Sequence, residues 1–177
     1  PLDTVINSAA DEYFPAVASN GNLYFTTTRK TGIGREDIFM SKYEKGKYQV
    51  PQPLDTAINS PLYEFNAFVS ADEKLIIFTS YARSDDLGGG DLYFSTKDSS
   101  GKWRMAKNLG PEINSTKLDY CPFMYTANSG FYFTSERDQM DHDTLNSVAD
   151  FEQFSDDVLN GLGNIYHVNA KIFATSN

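Results

Sequence analysis

"NSPLYEFNAFVSADEKLIIFTSYAR", Asn59 to Arg83, reads as a strand, a turn and a second strand, and the chain writes nearly the same words three times. Asn7 opens "NSAADEYFPAVASNGNLYFTTTR" and Asn114 opens "NSTKLDYCPFMYTANSGFYFTSER", so the spacings are 52 and 55 residues. Repetition at such a period marks an architecture assembled from like units and outranks any single-segment reading. Each Asn-Ser follows a matching stretch, "LDTVI", "LDTAI" or "LGPEI". Five residues on comes an acidic-aromatic pair: Glu12-Tyr13, Glu64-Phe65 or Asp119-Tyr120. A strand then ends in Arg29, Arg83 or Arg137, and another opens at Asp37, Asp91 or Asn164.

Working outward, the segments are short, alternate with period two, and are punctuated by "SNG", "EKG" and "SSGK", which are hairpin connections. Gly46-Lys47-Tyr48 and Gly101-Lys102-Trp103 supply a fourth strand to the first two repeats. The sequence therefore predicts an all-β fold of four-stranded antiparallel sheets. One such sheet cannot bury both faces alone, so neighbours must pack on it, and radial packing of this unit is a β-propeller.

One domain spans residues 1–177, with repeats near 7–58, 59–113 and 114–173. Arg29 to Asp37 and Arg83 to Asp91 are eight residues each, whereas Arg137 to Asn164 is 27, which places an insertion at 138–160. The third repeat has no Gly-Lys-aromatic stretch, so its outer strand is expected to be missing. About three blades fall short of the roughly four to eight that close a ring. Either further N-terminal blades, in a six-bladed ring for example, or a second copy of the chain is expected to complete it. The opening at Pro1, without Met or a leader, reads as the interior of something longer or processed.

Composition narrows the partners. With 15 Lys plus Arg against 24 Asp plus Glu, the net charge is −9 and no basic stripe offsets it, so nucleic acid is not expected. No apolar run approaches the roughly 20 residues that span a bilayer as a helix. Cys121 is the only cysteine, so no internal disulfide forms, and its place in "LDYCPF" reads as a small buried hydrophobe of a strand.

The blade text "SAADEYFPAVASNGNLYFTTTR…GREDIFMSKY" resembles the TolB-type WD40-like propeller repeat. "GGGDLYFSTKDSSGKW" and "GLGNIYHV" resemble cell-envelope and secreted members from Bacteroidetes-like bacteria. The resemblance covers the chain outside residues 138–160. It implies a periplasmic, outer-membrane-associated or secreted interaction scaffold, and a fold alone does not transfer an activity.

In a propeller, the loops joining second to third strand, and fourth strand to the next blade, share one face where ligand sites gather. Arg29, Arg83 and Arg137 stand at equivalent places near it, and three guanidiniums converging on a channel hold a carboxylate in sialidase-type glycosidases. The plainer reading is structural: each Arg clasps Glu12, Glu64 or Asp119 of its own repeat, and Asp37 or Asp91 as well. Clasps obey repeat symmetry, whereas ligand sites break it. The expected function is a non-enzymatic extracytoplasmic module that binds protein or glycan. Arg29, Arg83, Arg137, Tyr81, Asp85, Asp86 and Asp91 are its candidate contacts, with a sialidase-like hydrolase as the alternative. "STKDSSGKW" approaches a sialidase motif but carries one residue too many and Lys102 for Thr, and a hairpin turn with a buried Trp103 explains it equally.

Glycines 88–90 lack the helix and Lys-Ser/Thr of a phosphate loop; Gly34, Gly88 and Gly161 instead suit a turn demanding positive φ. His142 and His167 have no cysteine partner, so zinc is not expected. No cofactor is expected; calcium is the one candidate ion, at Asp138, Asp141 and Asp143, where a solvated acidic insert is the default. The insertion reads as a short amphipathic helix carrying Leu145, Val148, Phe151 or Phe154, and Val158, capped by Asp143 or Thr144, its apolar side packed on the blade beneath or binding a partner.

Overall fold

The computed structural model describes residues 1–125, 127, 129–139 and 146–173. Strands β1 (Glu12–Val17), β2 (Leu23–Thr27), β3 (Asp37–Ser41) and β6 (Gln52–Pro53) form sheet 1 in that order. Sheet 2 runs β7 (Tyr63–Val69), β8 (Leu75–Tyr81), β9 (Asp91–Thr96), β10 (Lys107–Asn108). Sheet 3 has three strands: β11 (Asp119–Tyr125), β12 (Gly130–Ser135) and β13 (Asn164–Asn169). Every pair within these sheets is antiparallel, so the protein is all-β, and none of the sheets closes on itself.

The outer strand is not where the sequence placed it. Lys47–Tyr48 (β5) pairs with Tyr43–Glu44 (β4) as a separate hairpin tip, and Gln52–Pro53 pairs with β3. In sheet 2, Trp103 only bridges Lys97, and Lys107–Asn108 forms the outer strand. Ser41 and Ser95 mark the break: each donates its hydroxyl across the hairpin, to Gln49 O and Arg104 O, at 2.5 Å. The Gly-Lys-aromatic stretch is thus the tip of a hairpin whose return limb contributes the edge strand further on. Trp103 is half-buried, with Lys97 Nζ 4.8 Å from its ring.

Successive sheets pack face to face. Alternation on β8 sends Ile76 and Phe78 into a core shared with Tyr24 and Ile38 of sheet 1, and Ile77 into a core shared with Phe131 and Phe133 of sheet 3. A strand buried on both sides reads as a continuous apolar run, which is why "LIIF" carries no polar residue.

The Asn-Ser marker has a mechanical reason. Asn59 accepts from Ile38 N at 2.9 Å and donates to Ile38 O and Leu54 O, pinning the connection to the preceding sheet; Asn114 does the same to Leu92. The first strand of each sheet also carries a bulge whose first residue has left-handed backbone: Phe14 (φ 50°), Asn66 (φ 54°) and Cys121 (φ 51°). Cys121 is therefore a half-buried bulge residue and not a regular core position, and its Sγ accepts from Asn66 Nδ2 at 3.3 Å.

Candidate functional site

Three arginine–carboxylate clasps recur, one at each of the three sheets. Arg29 Nε donates to Glu12 at 3.0 Å, Arg83 Nη2 to Glu64 at 3.0 Å, and Arg137 Nη2 to Asp119 at 3.0 Å. Each guanidinium also donates to the carbonyl of the apolar residue before its own Asn-Ser: Ile6, Ile58 or Ile113. Arg83 lies 4.8 Å from the Tyr93 ring centroid and Arg137 lies 4.5 Å from that of Tyr166. The carboxylates accept further bonds from Ser8, Ser60 and Ser115, through both backbone and hydroxyl. The three arginines are separate and engaged, each in its own repeat.

Asp37 and Asp91 do not join the arginines. Asp37 Oδ2 accepts from Ile33 N and Gly34 N, and Asp91 Oδ2 accepts from Leu87 N and Asn108 Nδ2, so each caps the loop ahead of its own strand. Their Oδ1 atoms are buried without a hydrogen bond. Burial pushes both carboxyls up, Asp91 to about 6; bonds from Asn108 and Leu87 oppose that rise, while Asp86 and Asp119 add to it. Of the loop glycines, Gly88 (φ 135°) and Gly161 (φ 83°) take positive φ, but Gly34 does not. There the absent side chain matters because a Cβ would lie 2.3 Å from Ser60 O of the following connection.

Among the remaining candidates, Asp85 Oδ1 accepts from the Tyr93 hydroxyl at 2.8 Å. Asp86 caps its loop through Ala82 N and Gly88 N. Tyr81 is 45% exposed. It stands opposite Tyr63 across the β7–β8 pair, ring to ring at 6.0 Å in an edge-on arrangement. Arg35 reaches in from the loop of the preceding sheet, donating to the Tyr63 hydroxyl at 2.8 Å with its guanidinium 5.5 Å from that ring. Arg35 and Tyr63 are the residues the sequence reading missed. Their signal was available: Tyr63 corresponds to Asp11 and Leu118, Tyr81 to Thr28 and Glu136, and Arg35 to Gly89 and Leu162, so all three break the repeat.

The insertion forms α1 (Val148–Ser155), capped by Ser147, whose hydroxyl accepts from Asp150 N. The expected caps Asp143 and Thr144, with Leu145, His142 and Asp141, lie outside the described residues. The helix buries none of its residues: Phe154 is half-buried, and Val148, Phe151 and the following Val158 are exposed, so the apolar side does not seat on the sheet as expected. Asp138 pairs with Lys117 at 3.0 Å, and the described residues hold no group of three or more His, Cys, Asp or Glu arranged for a metal ion. None of their helices is long and apolar enough to cross a membrane.

No protein-family model matches this chain, and no curated protein matches it. Among solved structures it is similar to the tricorn protease, at 16% identity and a TM-score of 0.43, over 76% of this chain and 12% of that one. The chain thus spans a small fraction of that protein's length, and the likeness is too distant to transfer an activity.

Proposed function

We propose that the stacked sheets are blades of a β-propeller of TolB-like type and that the chain is a non-enzymatic recognition module for protein or glycan, working outside the cytoplasm. The observation that carries the reading is the Arg35–Tyr63–Tyr81 cluster, in which Arg35 and Tyr81 are exposed and Tyr63 is half-buried, and which joins two adjacent repeats and breaks their symmetry. Aromatic faces flanked by a guanidinium offer stacking and directed donors together, the combination that polar, ring-bearing or peptide ligands need. The extracytoplasmic setting rests on the blade text quoted above. The sialidase alternative draws no support from Arg29, Arg83 and Arg137, each of which pairs with a carboxylate of its own repeat. It also needs two carboxylates in distinct roles, and Glu12, Glu64 and Asp119 each accept from the serine of their own Asn-Ser and from their own arginine.

The test is binding to an immobilised glycan panel and to a displayed peptide library, wild type against Tyr81→Ala. Binding by the wild type that the variant loses at unchanged melting temperature supports the reading. Absence of binding to either panel overturns it, as does hydrolysis of a fluorogenic sialoside that Arg83→Ala abolishes.

A further inference from the structure

A second surface lies at the other end of sheet 2 from Tyr81. β8 runs from Leu75 to Tyr81, and beside its Leu75 end is an open groove of about 690 Å³. Four cations line it: Lys74 from the β7–β8 turn, Lys97 just past β9, and Arg104 and Lys107 from the return limb of the hairpin. Lys74, Arg104 and Lys107 are exposed, and the acidic residue of the lining is Asp72, 3.7 Å from Lys74 Nζ. Glu73 and Asp98 stand nearby but are already engaged. Glu73 accepts from the side chains of Asn20, Asn22 and Tyr24, and Asp98 accepts from Ser100 and from Lys102 N. The apolar lining includes Phe94, edge-on to Phe173 at 5.7 Å, and Met105, which is 66% exposed.

Four of the chain's 15 Lys and Arg thus gather at one groove, although its net charge is −9. The sheet itself does not require them. Phe94 pairs with Lys107 as Met40 pairs with Gln52 in sheet 1, and Arg104 O accepts from Ser95 as Gln49 O accepts from Ser41. Arg104 and Lys107 therefore stand where sheet 1 has two glutamines. All four cations, with Phe94 and Met105, belong to sheet 2, which packs against a sheet on either side.

We propose that this groove binds an acidic segment of a partner protein, with its carboxylates on the four cations and an apolar side chain against Phe94 and Met105. Gathered cations complement a run of carboxylates and turn away basic partners. Arg, Met and aromatic residues are the types enriched at protein interfaces, and a thioether adapts to apolar side chains of differing shape. A purely polar polyanion, such as a sulfated saccharide, would leave Phe94 and Met105 without a contact.

Fluorescence anisotropy of a short labelled peptide in which Glu alternates with Leu tests this. A peptide alternating Lys with Leu, an all-Glu peptide and a heparin fragment are the comparisons. The wild type is expected to bind the Glu–Leu peptide, and more weakly as salt rises. Arg104→Glu and Lys107→Glu should each weaken binding about tenfold at unchanged melting temperature. Lys74→Glu, on an exposed turn outside the strands, repeats the test independently of β10 pairing. Met105→Ser should weaken binding as well, whereas Lys42→Glu, the same charge change on an exposed residue of sheet 1's hairpin, should not. Absence of binding overturns the proposal, as does equal binding of the Lys–Leu peptide or indifference to all three charge reversals at the groove. Tighter binding of the all-Glu peptide or of heparin also overturns it, since the groove would then be a general polyanion site.

Discussion

Arg83 Nη2 lies 3.0 Å from Glu64 Oε1, and the Glu64 side chain is fully buried while Arg83 retains a small exposed edge. Ser60 and Ser80 complete the carboxylate's shell at 2.7–2.8 Å. Removing the guanidinium leaves a buried anion with neutral donors only, a change that costs about 3–5 kcal/mol. Arg83→Ala is therefore expected to lower the urea midpoint sharply. Arg29→Ala should do less, because the Glu12 side chain keeps a solvent-exposed edge. Equal losses in the two variants would refute the burial argument.

Asn59 satisfies three backbone groups from one buried amide. Asn59→Asp turns the donor toward Ile38 O and Leu54 O into a second acceptor, leaving those carbonyls unmatched. A loss of about 3 kcal/mol is expected from equilibrium unfolding. A fall of under about 1 kcal/mol, the size of one ordinary hydrogen bond, would mean the connection is held by packing alone.

Asp91 sets a pH dependence of definite sign. Its native pKa is raised from 3.8 to about 6 by burial, so its stabilising contribution is full below 3.8 and is lost as pH rises through about 6. Relative to Asp91→Asn, the wild type should gain roughly 2–3 kcal/mol on going from pH 7 to pH 4. Melting temperatures of both proteins across that range check it; parallel curves would refute it.

Two glycines separate backbone strain from crowding. Gly101 (φ 82°) has open space where a Cβ would stand, so Gly101→Ala should cost about 1 kcal/mol for the left-handed backbone alone. Gly89 (φ 73°) would place a Cβ 2.5 Å from Lys117 C, on the backbone of the next sheet's connection. Gly89→Ala should cost about 2–4 kcal/mol, strain and overpacking together. Urea midpoints of the pair give the comparison directly.

The repeat was legible because strands write their faces at period two and each sheet must bury both. The three copies of Asn-Ser, acidic-aromatic and Arg located the sheets, the pinned connections and the insertion. Asp37 was assigned to the arginine by charge, yet its partners are the backbone amides of Ile33 and Gly34, which no residue type announces. The edge strand was placed on Gly-Lys-aromatic because a turn signal marks where a hairpin reverses, without fixing how far its return limb runs before pairing.

By itself, then, the sequence determined the all-β class of fold and the residues common to its repeats, since each copy meets the same local demand. Tertiary structure alone decided what joins one unit to the next. Arg35 reaches Tyr63 across 28 residues of chain, and Ile165 is bared where Ile38 and Leu92 are covered. Such contacts depend on which sheet packs on which, and neither spacing nor composition along one strand encodes that.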